Sequence, residues 1–444
     1  MQTPIWDFVK HYAENGPARF HMPGHKGASF LGCEPYDITE VNGADALYEA
    51  DGIIAQSEAN ATQLFGTGRT VYSTEGSSQC IRAMLYLALT HRPKGTAPLI
   101  LAARNAHKAF VFAAALLDFQ VEWLWPDGDS RSLCGCPISA ETLERALDVL
   151  PQLPAAVYIT SPDYLGDIAD VAALASVCHA HGTRLLVDNA HGAYLRFLTP
   201  SQHPMDLGAD LCCDSAHKTL PVLTGGAYLH MSKETPLALR EDAKNAMVLF
   251  GSTSPSYLIL SSLDRCNAYL AEDFSHRLTE TCAALESVRH TLAENGWHTE
   301  HTDPLRLTIL AGAHQNGIAL AQLLRENHIE CEYADPEFLV LMLTPENGPQ
   351  DFAHLVEVLG KNTAEAAQHL SLPLAQGESV LSIRQALFAP HECIAASQSL
   401  GRICGAPTVA CPPAIPIAVS GERIGPEALE LFAHYGVQTV DVLK

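Results

Sequence analysis

Between about residues 70 and 230 the sequence alternates short apolar runs with stretches of helical character. This alternation constrains the fold more than any other feature. Runs at 70–73, 98–103, 121–125, 155–160, 183–188 and 207–213 read as strands. The stretches 79–89 and 107–117, and one closing at His181-Gly182 where Gly suits a helix stop, read as helices. Strands joined through helices need crossover connections, so the expected class is α/β, a mostly parallel sheet with helices on both faces. In such sheets ligands gather at the carboxyl ends of strands. Gly76-Ser77-Ser78, Ser161, Asp188 and Lys218 all fall at such ends. After about Leu263 the texture changes. A long helical stretch at 265–295, strands at 305–310, 329–333 and 338–344, and a helix at 317–327 predict a smaller α+β domain. The expected division is an N-terminal arm at 1–45, a large domain at 46–265 and a small C-terminal domain at 266–444, with 376–444 as its tail.

Bulk properties narrow the class. The 444 residues, 47% hydrophobic and 17% charged, are enough for a large buried core. No apolar run reaches the length of a membrane span, and MQTPIWDFVKHYAENG lacks the apolar core of a signal peptide, so the expectation is a cytoplasmic protein without a membrane role. A net charge of −23 argues against a nucleic-acid partner, which wants a basic face. The 13 cysteines are scattered and form no paired CxxC frame, which favours reduced core thiols over zinc or disulfides. His179 and His181 sit at a helix end, where cations suit the dipole, and Asp188-x-x-His191 has no accompanying ligand cluster; no metal site is expected.

The chemistry centres on Asp214-Ser215-Ala216-His217-Lys218. A lysine just past a buried strand is poorly solvated, and desolvation favours its neutral amine. A neutral amine is a nucleophile for an aldehyde, which suggests a Schiff base with pyridoxal phosphate. Asp188, at the end of the preceding strand, is placed to keep a pyridinium nitrogen protonated. The plainer reading is a turn aspartate and a surface lysine. Gly76-Ser77-Ser78, opening a helix after a strand, suits a phosphate, although a simple serine N-cap has the same pattern. His107, at another strand-to-helix junction, could stack on a cofactor ring or stand solvated in a first helical turn. The loop His21-Met22-Pro23-Gly24-His25-Lys26-Gly27 names no chemistry by itself.

Several motifs together carry a resemblance. FHMPGHKG at 20–27, STEGSSQ at 73–79, RNAHKAF at 104–110, SPDYLGDIADV at 161–171, VDNAHGAY at 187–194, DSAHKTLPVLTGGAYLH at 214–230 and GSTSPSY at 251–257 resemble, in order, the Orn/Lys/Arg decarboxylase family. These are basic amino-acid decarboxylases on the fold type I, aspartate-aminotransferase-like scaffold. The tail ALFAPHECIAASQSLGRI with CPPAIPIAVSGE is similar to the family's small C-terminal domain. The resemblance implies that Lys218 carries pyridoxal phosphate, that Asp188 pairs with the ring nitrogen, and that His107 stacks on the ring. It implies that Gly76, Ser77, Ser78, His191, Ser215 and His217 line the cofactor site. Ser252 and Thr253 would reach the phosphate from a neighbouring subunit of a homodimer or dimer of dimers.

The implied reaction converts a basic amino acid (arginine, lysine or ornithine) into its amine and carbon dioxide, as in polyamine biosynthesis. Glu392 and Glu422 are candidate partners for the cationic end of that substrate. Departures from the family pattern are Glu75, where Asn is usual, and Cys411, Ala414 and Ser420 in the tail. The resemblance implies the compact form, without the long N-terminal wing domain of some members. Two other readings stay open. An aminotransferase or β-eliminating lyase would use the same Lys218 and Asp188, with Arg384 as a candidate for the α-carboxylate, and a non-catalytic homologue would act by binding alone.

Overall fold

The structure is a computed structural model that describes residues 1–128, 132–300, 303–312, 316–361, 373–409 and 415–444. Contacts gather the chain into two compact units, Met1–Lys94 with Cys178–Arg277, and Gly95–Val177 with Leu278–Lys444. In chain order the major strands are β1 (Arg69–Ser73), β2 (Ala97–Ala103), β3 (Gln120–Leu124), β4 (Pro154–Thr160), β5 (Arg184–Asp188), β6 (Leu211–Asp214) and β7 (Ala227–Met231).

The first unit holds four of these in the order β1-β7-β6-β5. β5 and β6 run parallel, with Asp188 opposite Cys213. β7 is antiparallel to both β6 and β1. One reversed strand therefore leaves β1, β5 and β6 pointing the same way, and their carboxyl ends share an edge. Every residue of β5, β6 and β7 is buried, as expected for strands covered on both faces. After β1, Gly76 takes a φ of 71°, a conformation that favours glycine, and the helix Ser77–Thr90 begins. The helix Ile53–Phe65 stops at Gly66 in the left-handed region, a common helix stop. The helix Pro4–Glu14 buries Ile5 and Val9, and the backbone N–H groups of Ile5 and Trp6 donate to Asp264 Oδ2 at 2.9 and 3.0 Å.

The second unit holds β4-β2-β3, with β2 parallel to both neighbours, so the expected βα reading holds here too. It also contains an antiparallel sheet of β8 (His298–Glu300), β9 (Arg306–Leu310), β10 (Tyr333–Ala334) and β11 (Phe338–Met342), in the order β10-β11-β9-β8. Side chains alternate across β11. Leu339 and Leu341 join Leu307, Ile309, Leu324 and Leu355, while Phe338 and Val340 join a separate core with Tyr164, Phe432 and Val442. The tail strands His391–Ala395 and Thr439–Leu443 pair antiparallel.

Three expectations are corrected. The stretch 265–295 is two helices, Tyr257–Ala271 and Phe274–Glu294, because Glu272 leaves the helical region at ψ −99°. The run 207–213 is strand only from Leu211, since residues 204–208 turn through Gly208 at φ 99°. The strand expected at 329–333 survives only as Tyr333–Ala334.

Candidate active site

At the shared strand edge of the first unit, β6 runs directly into the single helical turn Ala216–Thr219. Lys218 is half-buried in that turn, and its Nζ lies 2.8 Å from His191 Nε2. His191 is buried just beyond the end of β5. Asp188, the last residue of β5, is 2% exposed. Its Oδ1 accepts from the Ala190 N–H at 3.2 Å and lies 3.5 Å from the Cys213 thiol. Burial pushes the Cys213 thiol far above its ordinary value, and the Asp188 charge adds to this. Cys213 is thus a weak donor under Asp188, with no thiolate character.

The anion end of the edge is built from backbone and hydroxyls. The helix Ser77–Thr90 starts at Gly76 with no side-chain cap, so its first N–H groups and its dipole face the edge. Ser215 Oγ donates to Ser77 Oγ at 2.8 Å, bringing together two hydroxyls that the sequence placed far apart. The Gly76 N–H is held by Gly225 O at 2.7 Å. His217 donates both its backbone N–H and Nδ1 to Gly226 O, at 3.2 and 2.9 Å. Burial pushes the His217 pKa below its ordinary value, partly opposed by the Gly226 bond, while Lys218 lowers it further. These effects favour the neutral imidazole. Glu75 is exposed, and its Oε1 accepts the Ser252 N–H at 3.3 Å, which turns its charge toward the 252–254 segment. Ser252 and Thr253 are exposed. An amine, a buried carboxylate and an uncapped helix start at one strand edge fit a phosphorylated pyridine aldehyde.

The remaining candidates lie in the second unit. His107 caps the helix Lys108–Leu117, its side chain accepting the Ala109 N–H at 3.2 Å. Glu422 is buried and takes two bonds from Arg104, at 2.6 and 2.7 Å, plus the Val419 N–H at 2.9 Å. Glu392 is exposed and accepts from Arg402 at 2.6 Å. Both carboxylates expected to meet a cationic substrate are therefore engaged by arginines of the fold. Arg384 is exposed, donates to Ala115 O at 2.7 Å and covers Phe388. Ser420 is buried and donates to Ala406 O at 2.6 Å; Cys411 and Ala414 lie outside the described residues. His179 pairs with Asp210 at 3.0 Å, in keeping with a structural role.

Sequence reasoning missed a buried cluster beneath the edge, where Asp214 Oδ2 meets His203 Nε2 at 3.0 Å and His230 Nε2 at 3.1 Å. Its only sequence signal was polar residues inside apolar runs.

Against known proteins, the family model described as Orn/Lys/Arg decarboxylase, major domain, matches residues 3–315. A protein called YaaO from Bacillus subtilis is 28% identical, over 97% of this chain and 93% of its own length. An arginine decarboxylase from the same organism is also 28% identical, over 96% of this chain and 92% of that protein. Among solved structures, the Francisella novicida lysine decarboxylase LdcF superposes with a TM-score of 0.82 at 16% identity, covering 100% of this chain and 81% of that one, a likeness of fold. The strand-edge geometry and the match over residues 3–315 agree: the chain belongs to the Orn/Lys/Arg decarboxylase family and is a pyridoxal-phosphate-dependent amino-acid decarboxylase.

Proposed function

We propose that the chain decarboxylates a basic amino acid, with arginine as the substrate and agmatine and carbon dioxide as products. The amine of Lys218 beside His191, one strand from buried Asp188, carries the chemical part of this reading. The arginine part rests on the full-length relative whose name states its substrate. Lys218 would hold the cofactor, and His191 Nε2, at 2.8 Å, is placed to take a proton from Nζ and return it. Asp188 would keep a proton on the ring nitrogen, from the carboxyl end of β5, where it is 2% exposed. Gly76, Ser77, Ser78, Ser215 and His217 would receive the phosphate, and His107 would lie against the ring. The bound group supplies the electron sink that accepts the pair left when carbon dioxide departs.

In the same reading the protein is a homodimer, or a dimer of dimers, whose exposed Ser252 and Thr253 complete the phosphate site of the second copy. Residues 1–45 form an arm, 46–265 the cofactor-binding part and 266–444 the small C-terminal part. The protein acts in the cytoplasm, in polyamine biosynthesis. Among the described residues no helix is long and apolar enough to cross a membrane.

The test is to incubate the purified protein with pyridoxal phosphate and with arginine, lysine or ornithine in turn, measuring carbon dioxide and amine. Arginine should be preferred by at least about tenfold in kcat/KM, a modest demand for a site that recognises a polar group. A preference for lysine or ornithine would overturn the substrate, and carbon dioxide from none of the three would overturn the reading.

A further inference from the structure

The cluster beneath the active-site edge has a layout that packing does not require. Asp214, Asn189, His203 and His230 are each 0% exposed. Asp214 Oδ2 accepts from both imidazoles, and Oδ1 accepts from Asn189 Nδ2 at 2.7 Å. His203 Nδ1 accepts the Met205 N–H at 3.3 Å, which leaves its proton on Nε2, facing Asp214. His230 Nδ1 meets Thr70 Oγ1 at 2.8 Å. Phe65 packs against both rings, with centroids 5.6 and 4.5 Å away.

Burial would raise the Asp214 pKa, but His203 and His230 outweigh it and hold the carboxyl well below its usual range. Burial pushes His230 the other way, toward the neutral form. The core therefore keeps an anion whose donors come from several segments. A buried carboxylate is costly compared with apolar packing, and in some proteins such a group fixes one arrangement.

Here the arrangement at stake is the active edge. Thr70 lies on β1, which leads to the Gly76 turn. Asn189 directly follows Asp188, and its N–H also bonds Cys213 O at 2.9 Å, so it ties the end of β5 to the end of β6 twice. Asp214 directly precedes Ser215 and the turn that carries Lys218. Gly192 leaves room for the tie, since a Cβ there would come within 2.0 Å of Asn189 Oδ1.

We propose that Asp214, clamped by His203 and His230 and tied through Asn189, is a positioning residue that sets the spacing between Asp188 and Lys218. This rests on the decarboxylase reading above. The test compares wild type with Asn189→Ala, which cuts only the cross-tie, and with Asp214→Asn. Three quantities are measured: kcat and KM, the pyridoxal phosphate dissociation constant of the cofactor-free protein, and the fraction of cofactor fixed to Lys218 by borohydride.

A small misplacement of reacting groups can cost about 100-fold, so kcat should fall by about that factor with KM little changed. Cofactor affinity should weaken about tenfold, and the fixed fraction should drop in folded protein. Should Asp214→Asn fail to fold, Asn189→Ala decides alone. Variants that match a loaded wild type in kcat, affinity and fixed fraction, differing only in melting temperature, would overturn the proposal by itself. A wild type with no cofactor on Lys218 would overturn the decarboxylase reading and the proposal with it.

Discussion

At the strand edge of the first unit, a half-buried lysine stands 2.8 Å from a buried imidazole, one strand away from a carboxylate that is 2% exposed. In the second unit, Arg104 reaches Glu422 through two bonds and lies between Trp123 and Trp125, 4.8 Å from each ring centre. Both regions take charge out of water, and they do it differently. The arginine is forked and matched by a two-oxygen partner, so the two charges compensate each other within the pair. The lysine faces a group that can exchange a proton, and its own charge is the cheaper of the two to give up. The contrast teaches that burial alone does not mark a reactive charge. A neighbour that can accept a change of protonation does.

The sharpest way to break this contrast is Lys218→Ala. Turnover should fall at least about a thousandfold, because among the described residues no other side chain at the edge offers a covalent amine. Borohydride fixation should vanish while circular dichroism is unchanged; finding the pyridoxyl group on Lys108 or Lys26 would undo the assignment. Asp188→Asn should lose roughly 100-fold or more in kcat, since a neutral amide cannot hold the ring proton. Its melting curve should barely move.

Arg104→Ala should do the reverse, leaving Glu422 buried and unpaired at a cost of about 3–5 kcal/mol by denaturant unfolding. A loss below about 1 kcal/mol would mean that the two charges do not compensate each other. Arg402→Ala, which frees exposed Glu392, should cost less than about 1 kcal/mol, as solvent-screened pairs do. Asp163 tests the comparison through pH. Burial, with the charge of Asp167 adding to it, pushes its pKa up to about 7. A raised pKa means that the folded state binds a proton which the unfolded chain releases at lower pH. The stability from this group is therefore present in acid and lost as pH rises through about 7. Asp163→Asn keeps an oxygen for the Gly166 and Asp167 N–H groups, so it should raise the melting temperature by a few degrees at about pH 8, by less at about pH 5, and hardly at all below about pH 4.

Much of the edge was legible because its signals are local. A strand ending in Asp188, a Gly-Ser-Ser turn and a lysine after an apolar run each carry their chemistry within a few residues. The alternation of runs also predicted β2, β4 and β5 closely, since buried parallel strands read as unbroken apolar segments. What escaped is non-local. Nothing near Glu422 announces Arg104, and nothing near Asp214 announces His203 or His230, which arrive through a loop and a reversed strand. The break at Glu272 escaped for a different reason. Helical periodicity continues across it, and one residue's backbone decides the matter.

The reversed strand β7 also governs when the active edge can exist. In the first unit the ladder partner of residues 69–73 is the segment 227–231, and the turn at Gly76 is held by Gly225. During synthesis the anion turn is thus made early but cannot be secured until the chain has grown through β7. A nascent chain cut before that point keeps the serines, the aspartate and the lysine yet has no frame to bring them together. Such distant pairing slows folding and prolongs the exposure of apolar strands. On the proposed reading, a chain that holds the cofactor at this edge would already have closed the sheet of its first unit.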